Sequence, residues 1–225
     1  VEDINKVPIF TPLFLKKPVL VVIPHLFGGA VFRETNAVLA SYVYLMEKPI
    51  PRVYRHSIFE VISESTARDI ERRGIDPGRV RVVHCGMDHA AYHDDTAIRK
   101  FDRPTVLYVG RIKRYKSVDV AIRAMPEVIR WVPDARLAVV GSGDNLDDLK
   151  RLASSLDIAD RVEFTGFVST AEKVDWMRRS HVMVNPSPRE GWGLTNIEAG
   201  ACGTPAVASD RSEERRVGKE CRSRW

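Results

Sequence analysis

Apolar runs and amphipathic segments alternate along the chain from about residue 19 to residue 208. Residues 19–24 (VLVVIP) form an apolar, β-branched run, the pattern of a strand covered on both faces. Gly28 and Gly29 break it. Val31, Ala37, Val38, Leu39, Tyr42, Val43, Leu45 and Met46 then predict a broad apolar helix over about 31–47, stopped before Pro49 and Pro51. Residues 59–62 read as a short strand. Ser65 is expected to cap a helix to about Arg73, with Gly74 closing it, and 80–84 reads as another strand. The polar stretch 89–103 reads as a connection between two domains.

A second series follows. Residues 105–109, 136–140, 161–165, 181–184 and 205–208 read as strands. Between them lie helices expected at 118–131, at 145–156, from a Thr170 cap to about Arg179, and from near Leu194. Strand and helix alternating every roughly 25–35 residues predict α/β architecture with parallel, doubly wound sheets. In such sheets ligands sit beyond the carboxyl ends of the strands. The expected division is 1–90 and 105–210 as two domains, with 91–104 as a linker. After 207–210 (VASD) the pattern stops, and 211–225 has neither period. That tail is expected to be non-native, the alternative being a solvated basic tail with a role of its own.

Composition changes this picture little. With 225 residues, 44% hydrophobic and 29% charged, the chain is of ordinary globular type and long enough for one large or two small domains. No apolar run reaches the eighteen or so residues of a membrane span, and the longest, 18–27, is too short. The opening residues lack a signal-peptide pattern, and Val1 suggests a start inside a longer protein. Three cysteines give no even framework, and nothing has metal-ligand spacing, which points to a reducing cytoplasm. Of the +5 net charge, 211–225 supplies +3, from six Lys/Arg and three Glu. That leaves +2 on the remainder, no basis for nucleic-acid binding.

The candidate chemistry gathers at strand ends. Arg111 follows Gly110 at one such end and Lys116 lies five residues on. A planar guanidinium and a mobile ammonium suit a diphosphate and the charge that develops if it leaves. A solvated basic patch is the bland alternative. Gly141 and Gly143, in the GSGD loop, allow close backbone approach to a ligand, although the third glycine of a dinucleotide fingerprint is missing. Gly166, Phe167 and Val168 offer a wall for a planar base, with Phe167 as plain core the commoner case. The richest stretch is 185–207, NPSPREGWGLTNIEAGACGTPAV. Gly191 and Gly193 permit tight geometry, and a helix starting near Leu194 and Thr195 turns free N–H groups toward an anion. Glu198 suits two ribose hydroxyls and Glu190 sugar hydroxyls. A lone strand-end histidine such as His25 is more often structural.

With 190–199 (EGWGLTNIEA) in view, the chain resembles the retaining GT-B glycosyltransferases of group 4, which carry the glycosyl transferases group 1 domain. Supporting matches are YVGRIKRYKSVDVAIRA at 108–124, AVVGSGD at 138–144, VEFTGFV at 162–168, NPSPREGWG at 185–193 and GTPAVASD at 203–210. The resemblance implies two Rossmann-like domains facing a cleft, the N-terminal one incomplete, so that 1–90 is the remainder of an acceptor-side domain. It implies retaining transfer from a nucleotide-diphosphate sugar, such as a UDP- or GDP-sugar, to a sugar, lipid or polysaccharide acceptor. No metal or other cofactor is expected. Arg111 and Lys116 would hold the diphosphate, Glu198 the ribose, Glu190 and His25 the sugar. Residues 166–168 would flank the base, and the backbone at Leu194 and Thr195 would meet phosphate. A cytoplasmic enzyme, with peripheral contact to a membrane surface left open, is the expected setting. The chain departs from the pattern at Cys85-Gly86, where Asn usually precedes Gly, and in lacking the closing C-terminal helices. A GT-B nucleotide-sugar epimerase and a non-catalytic nucleotide-binding fragment stand as alternatives.

Overall fold

A computed structural model describes residues 1–5, 7–33, 35–188 and 192–209. The chain divides into two compact units, Val1–Cys85 and Gly86–Trp225. No described helix is long and apolar enough to cross a membrane.

The first unit carries a parallel sheet of β1 (Glu2–Asp3), β2 (Leu20–Ile23), β3 (Ile58–Val61) and β4 (Val80–Val82), in that spatial order. Its helices are α1 (Ala37–Glu47), α2 (Ile50–Val53) and α3 (Glu64–Arg72). Val21 pairs with Phe59 and Ile23 with Val61, and all four join Ile4, Tyr54 and Ile70 in one core. Two-residue β1 was not foreseen. It is held through Glu2, whose Oε1 accepts from Tyr54 Oη at 2.6 Å and from Ile9 N at 2.8 Å.

In this unit two helix starts differ from expectation. Residues 28–33 form a 3-10 turn, and α1 begins only after Asn36, whose side chain accepts from Leu39 N at 2.9 Å. The apolar face expected for α1 is mostly outward: Ala40, Val43 and Glu47 are buried, while Val38, Leu39, Tyr42 and Leu45 are exposed. The cap of α3 is Ser63, not Ser65. Ser63 has the extended backbone a cap needs and accepts from Thr66 N at 3.2 Å.

The second unit is a five-stranded parallel sheet of β5 (Thr105–Val109), β6 (Arg136–Val140), β7 (Val162–Gly166), β8 (Val182–Asn185) and β9 (Ala206–Ala208). Its spatial order is β7-β6-β5-β8-β9. Between the strands run α4 (Val118–Trp131), α5 (Leu146–Ser155), α6 (Thr170–Arg179) and α7 (Leu194–Ala201). Period-two alternation divides the core. Tyr108, Leu137 and Val139 meet Ile122 and Met125 of α4 and Leu149 of α5. Leu107, Val109, Ala138 and Val140 meet Val174 and Met177 of α6 and Ala199 of α7. Helices therefore cover both faces, and the strand order reverses between β5 and β8. This is the switch point at which open α/β sheets leave a crevice.

Ser169, rather than Thr170, caps α6. It forms a capping box, accepting from Glu172 N at 3.2 Å while Glu172 accepts from Ser169 N at 2.8 Å. The stretch 91–104 lies within the second unit. Tyr92 is buried in its core, Phe101 N donates to Arg179 O at 2.9 Å, and Lys100 Nζ donates to Ser180 O at 2.8 Å.

Candidate functional site

A cavity of about 200 Å³ opens at the switch point. Tyr108, Val109, Gly110, Arg111, Lys116, Asn185, Leu194 and Thr195 line it. They come from the carboxyl ends of β5 and β8, the loop after β5 and the first turn of α7. Five of these eight, namely Gly110, Arg111, Lys116, Leu194 and Thr195, are residues the sequence singled out. Tyr108 and Val109 were missed because they read as strand core, and Asn185, the first residue of the 185–207 stretch, was given no role of its own.

Lys113 forms an ion pair with Asp144 at 2.7 Å. That hydrogen bond holds the exposed Asp144 carboxyl below its ordinary range. Arg111 and Lys116 line the cavity itself. Arg111 Nη2 donates to Tyr115 Oη at 2.9 Å, and Tyr108 Oη donates to Arg111 O at 3.0 Å, tying the loop to the sheet. Gly193 precedes α7 with φ 66°, in the left-handed region that suits glycine. No side chain caps the turn, and Leu194 and Thr195 of the first turn line the cavity, which puts the positive end of the helix dipole beside it.

Gly141 and Gly143 do not line the cavity. Their close approach is to the chain's own backbone: a Cβ at Gly141 would lie 2.0 Å from Gly110 O, and one at Gly143 would lie 2.0 Å from Ile112 O. Ile112 N donates to Ser142 O at 2.9 Å in the same contact. The two glycines thus seat the Gly110–Ile112 loop that carries Arg111. Gly166 ends β7 with φ 75° and accepts from Gly141 N at 2.9 Å. Phe167 beyond it is 85% exposed, not core, while Val168 packs partly against the α6 side.

Glu198 is buried on α7 and paired with Lys173 of α6 at 2.8 Å. Lys173 also sits 4.9 Å from the Tyr92 ring centroid. His25 is exposed in the first unit, its ring edge-on to Phe27 at 4.7 Å. The turn after it is gripped by buried Glu47, which accepts from Phe27 N at 2.7 Å, Gly28 N at 2.8 Å and Arg73 Nη1 at 2.9 Å. Glu47 carried no sequence signal, being one acid at the end of an apolar helix. Glu190 and Gly191 lie outside the described residues. Among the described residues, no group of three or more His, Cys, Asp or Glu could hold a metal ion.

The family model for Glycosyl transferases group 1 matches residues 93–220. The chain belongs to this family. D-inositol 3-phosphate glycosyltransferase 2 of Catenulispora acidiphila is 42% identical over 152 residues, covering 60% of this chain and 36% of that protein. A GDP-mannose-dependent alpha-(1-6)-phosphatidylinositol monomannoside mannosyltransferase of Mycolicibacterium smegmatis is 40% identical over 114 residues, covering 48% and 30%. The chain spans about a third of the length of the curated relatives it matches, 36% of the first of these.

Structural neighbours of this group 1 chain are GT-B glycosyltransferases. Sucrose-phosphate synthase of Thermosynechococcus elongatus superposes with a TM-score of 0.72 at 25% identity, covering 90% of this chain and 52% of that one. Anabaena HepE in complex with UDP-glucose gives 0.71 at 17% identity, covering 90% and 56%. The α/β fold with parallel sheets agrees with that class.

Proposed function

We propose that the second unit seats the diphosphate of a nucleotide-sugar donor in the β5–β8 cavity. We further propose that the whole protein moves the sugar to an acceptor hydroxyl with retention of configuration. The reading rests chiefly on the convergence of Arg111, Lys116 and the Leu194–Thr195 turn on one cavity at the switch point. Two cations and a helix N-terminus make a polyanion site, and the family supplies the sugar chemistry. The GDP-mannose dependence in the name of the Mycolicibacterium relative is in keeping with such a donor.

In this reading Arg111 and Lys116 neutralise the charge that builds on the departing diphosphate. That role is assigned to them rather than to a metal ion or other cofactor. Glu198 accepts from the ribose, and Lys173, paired with it at 2.8 Å, orients its carboxylate. Gly166, exposed Phe167 and Val168 border the base. Glu190, next to Gly191 in the sequence, meets the sugar. Gly141, Gly143 and Gly193 shape the backbone that presents these groups. The acceptor is a hydroxyl of a sugar, lipid or polysaccharide, and the setting is the cytoplasm or the membrane surface facing it.

A thermal-shift screen of the chain against UDP-, GDP- and ADP-sugars tests the donor assignment, since a ligand bound by the native state raises its Tm. One nucleotide class is expected to raise Tm, and Arg111→Ala to weaken that ligand's affinity about 30-fold, the worth of charge-assisted hydrogen bonds to phosphate. No shift with any nucleotide, or an Arg111→Ala protein that binds as tightly as the parent, contradicts the assignment.

A further inference from the structure

Both cavity cations touch one residue that does not line the cavity. Tyr115 is half-buried in the short 3-10 turn Arg114–Lys116. Its hydroxyl accepts from Arg111 Nη2 at 2.9 Å. Its ring lies under the Lys116 ammonium, with Nζ 5.4 Å from the centroid. On one side, Lys113 is pinned to Asp144 at 2.7 Å. On the other, Ser117 takes the left-handed φ of 54° that turns the chain into α4. The turn that carries Tyr115 therefore has a contact or a backbone constraint on either side.

Two like charges brought to one small cavity repel each other, and long cationic side chains lose rotamer freedom when a ligand orders them. Tyr115 counters both effects. Its oxygen offers a lone pair to the guanidinium, and its ring face offers the negative side of the π quadrupole to the ammonium. Each cation is held by a different part of the same side chain, so the spacing between them is set before a ligand arrives. Preorganisation of this kind lowers the ordering cost of binding.

We propose that Tyr115 is a positioning residue for the anion clamp: its hydroxyl orients Arg111 and its ring face orients Lys116. This rests on the cavity being a diphosphate site, and the test separates the two ideas. Inorganic pyrophosphate, which carries no base or sugar, is titrated calorimetrically into the 225-residue chain and its Tyr115→Phe, Tyr115→Leu and Arg111→Ala variants. Tyr115→Phe keeps the ring and loses the hydroxyl, so affinity is expected to fall about fivefold. Tyr115→Leu loses both contacts and is expected to fall about twentyfold. Urea midpoints of both variants should match the parent, which a purely structural role for the tyrosine would not allow. Equal losses for Phe and Leu, or no loss for either beside an Arg111→Ala variant that does weaken binding, overturn the role of Tyr115. An Arg111→Ala variant that binds pyrophosphate as the parent does overturns the cavity reading itself, and the proposal with it.

Discussion

Gly143→Ala is expected to lower the stability of the second unit by about 3 kcal/mol, the upper end of the cost of overpacking, and to weaken pyrophosphate binding in step. The added Cβ would sit 2.0 Å from Ile112 O and 2.6 Å from its carbonyl carbon. These are backbone atoms, with no flexible side-chain end to give way. Nor can Ile112 retreat easily, since its side chain is fully buried and its N–H donates to Ser142 O at 2.9 Å. The strain must pass to the neighbouring Arg111. Gly166→Ala is the control: φ is 75°, but a Cβ there would meet nothing within 4 Å. Conformational strain alone, about 1 kcal/mol, is expected. Urea denaturation compares the two, and a Gly143→Ala cost no larger than that of Gly166→Ala would show that the loop contact is not rigid.

Lys173→Met is expected to cost on the order of 3 kcal/mol, because it leaves the Glu198 carboxylate buried without its cation. The Glu198 side chain is only 7% exposed and the Lys173 side chain 23%. Adding Glu198→Gln to the Lys173→Met protein should recover most of the loss, and a double-mutant cycle in urea measures how much. Burial alone would lower the Lys173 pKa, but the Glu198 carboxylate and Tyr92 together hold it above its ordinary 10.5. A base raised on folding contributes stability that is complete below its unfolded pKa. The contribution of the pair should therefore persist up to about pH 10.5 and disappear as pH climbs through the folded value. A Lys173→Met cost that stays unchanged as pH climbs well above 10.5 would mean that the pair is not what stabilises α6 against α7.

The elements with one clear period were legible. Thr105–Val109, Val118–Trp131 and Arg136–Val140 occur with the bounds the pattern predicts. Fully covered strands and a two-sided helix leave little choice of register. Helix starts were harder, since two hydroxyl residues stand close together at 63 and 65 and again at 169 and 170. Which one caps depends on which has the extended backbone, a matter settled by the strand before it. The apolar residues of α1 illustrate another limit. Composition reports that a helix is apolar, whereas exposure of Val38, Leu39, Tyr42 and Leu45 depends on what packs against it.

The site was legible where chemistry and position coincide. Arg111, Lys116, Leu194 and Thr195 are polar groups or helix starts at strand ends, so pattern alone brings them together. Tyr108, Tyr115 and Glu47 make contacts set in three dimensions, and no spacing announces them. The glycine loop at 141–143 shows the same gap from the other side. Its freedom from a Cβ was plain in the sequence, but the atoms it lets approach, Gly110 O and Ile112 O, are set by the β5–β6 pairing.

The most direct test of the anion site is a backbone-amide NMR titration of the chain with inorganic pyrophosphate. The largest shift changes are expected at Gly110, Arg111, Leu194 and Thr195, the loop after β5 and the first turn of α7. Changes confined to Val1–Cys85, or a titration that leaves Leu194 and Thr195 unmoved, would contradict it.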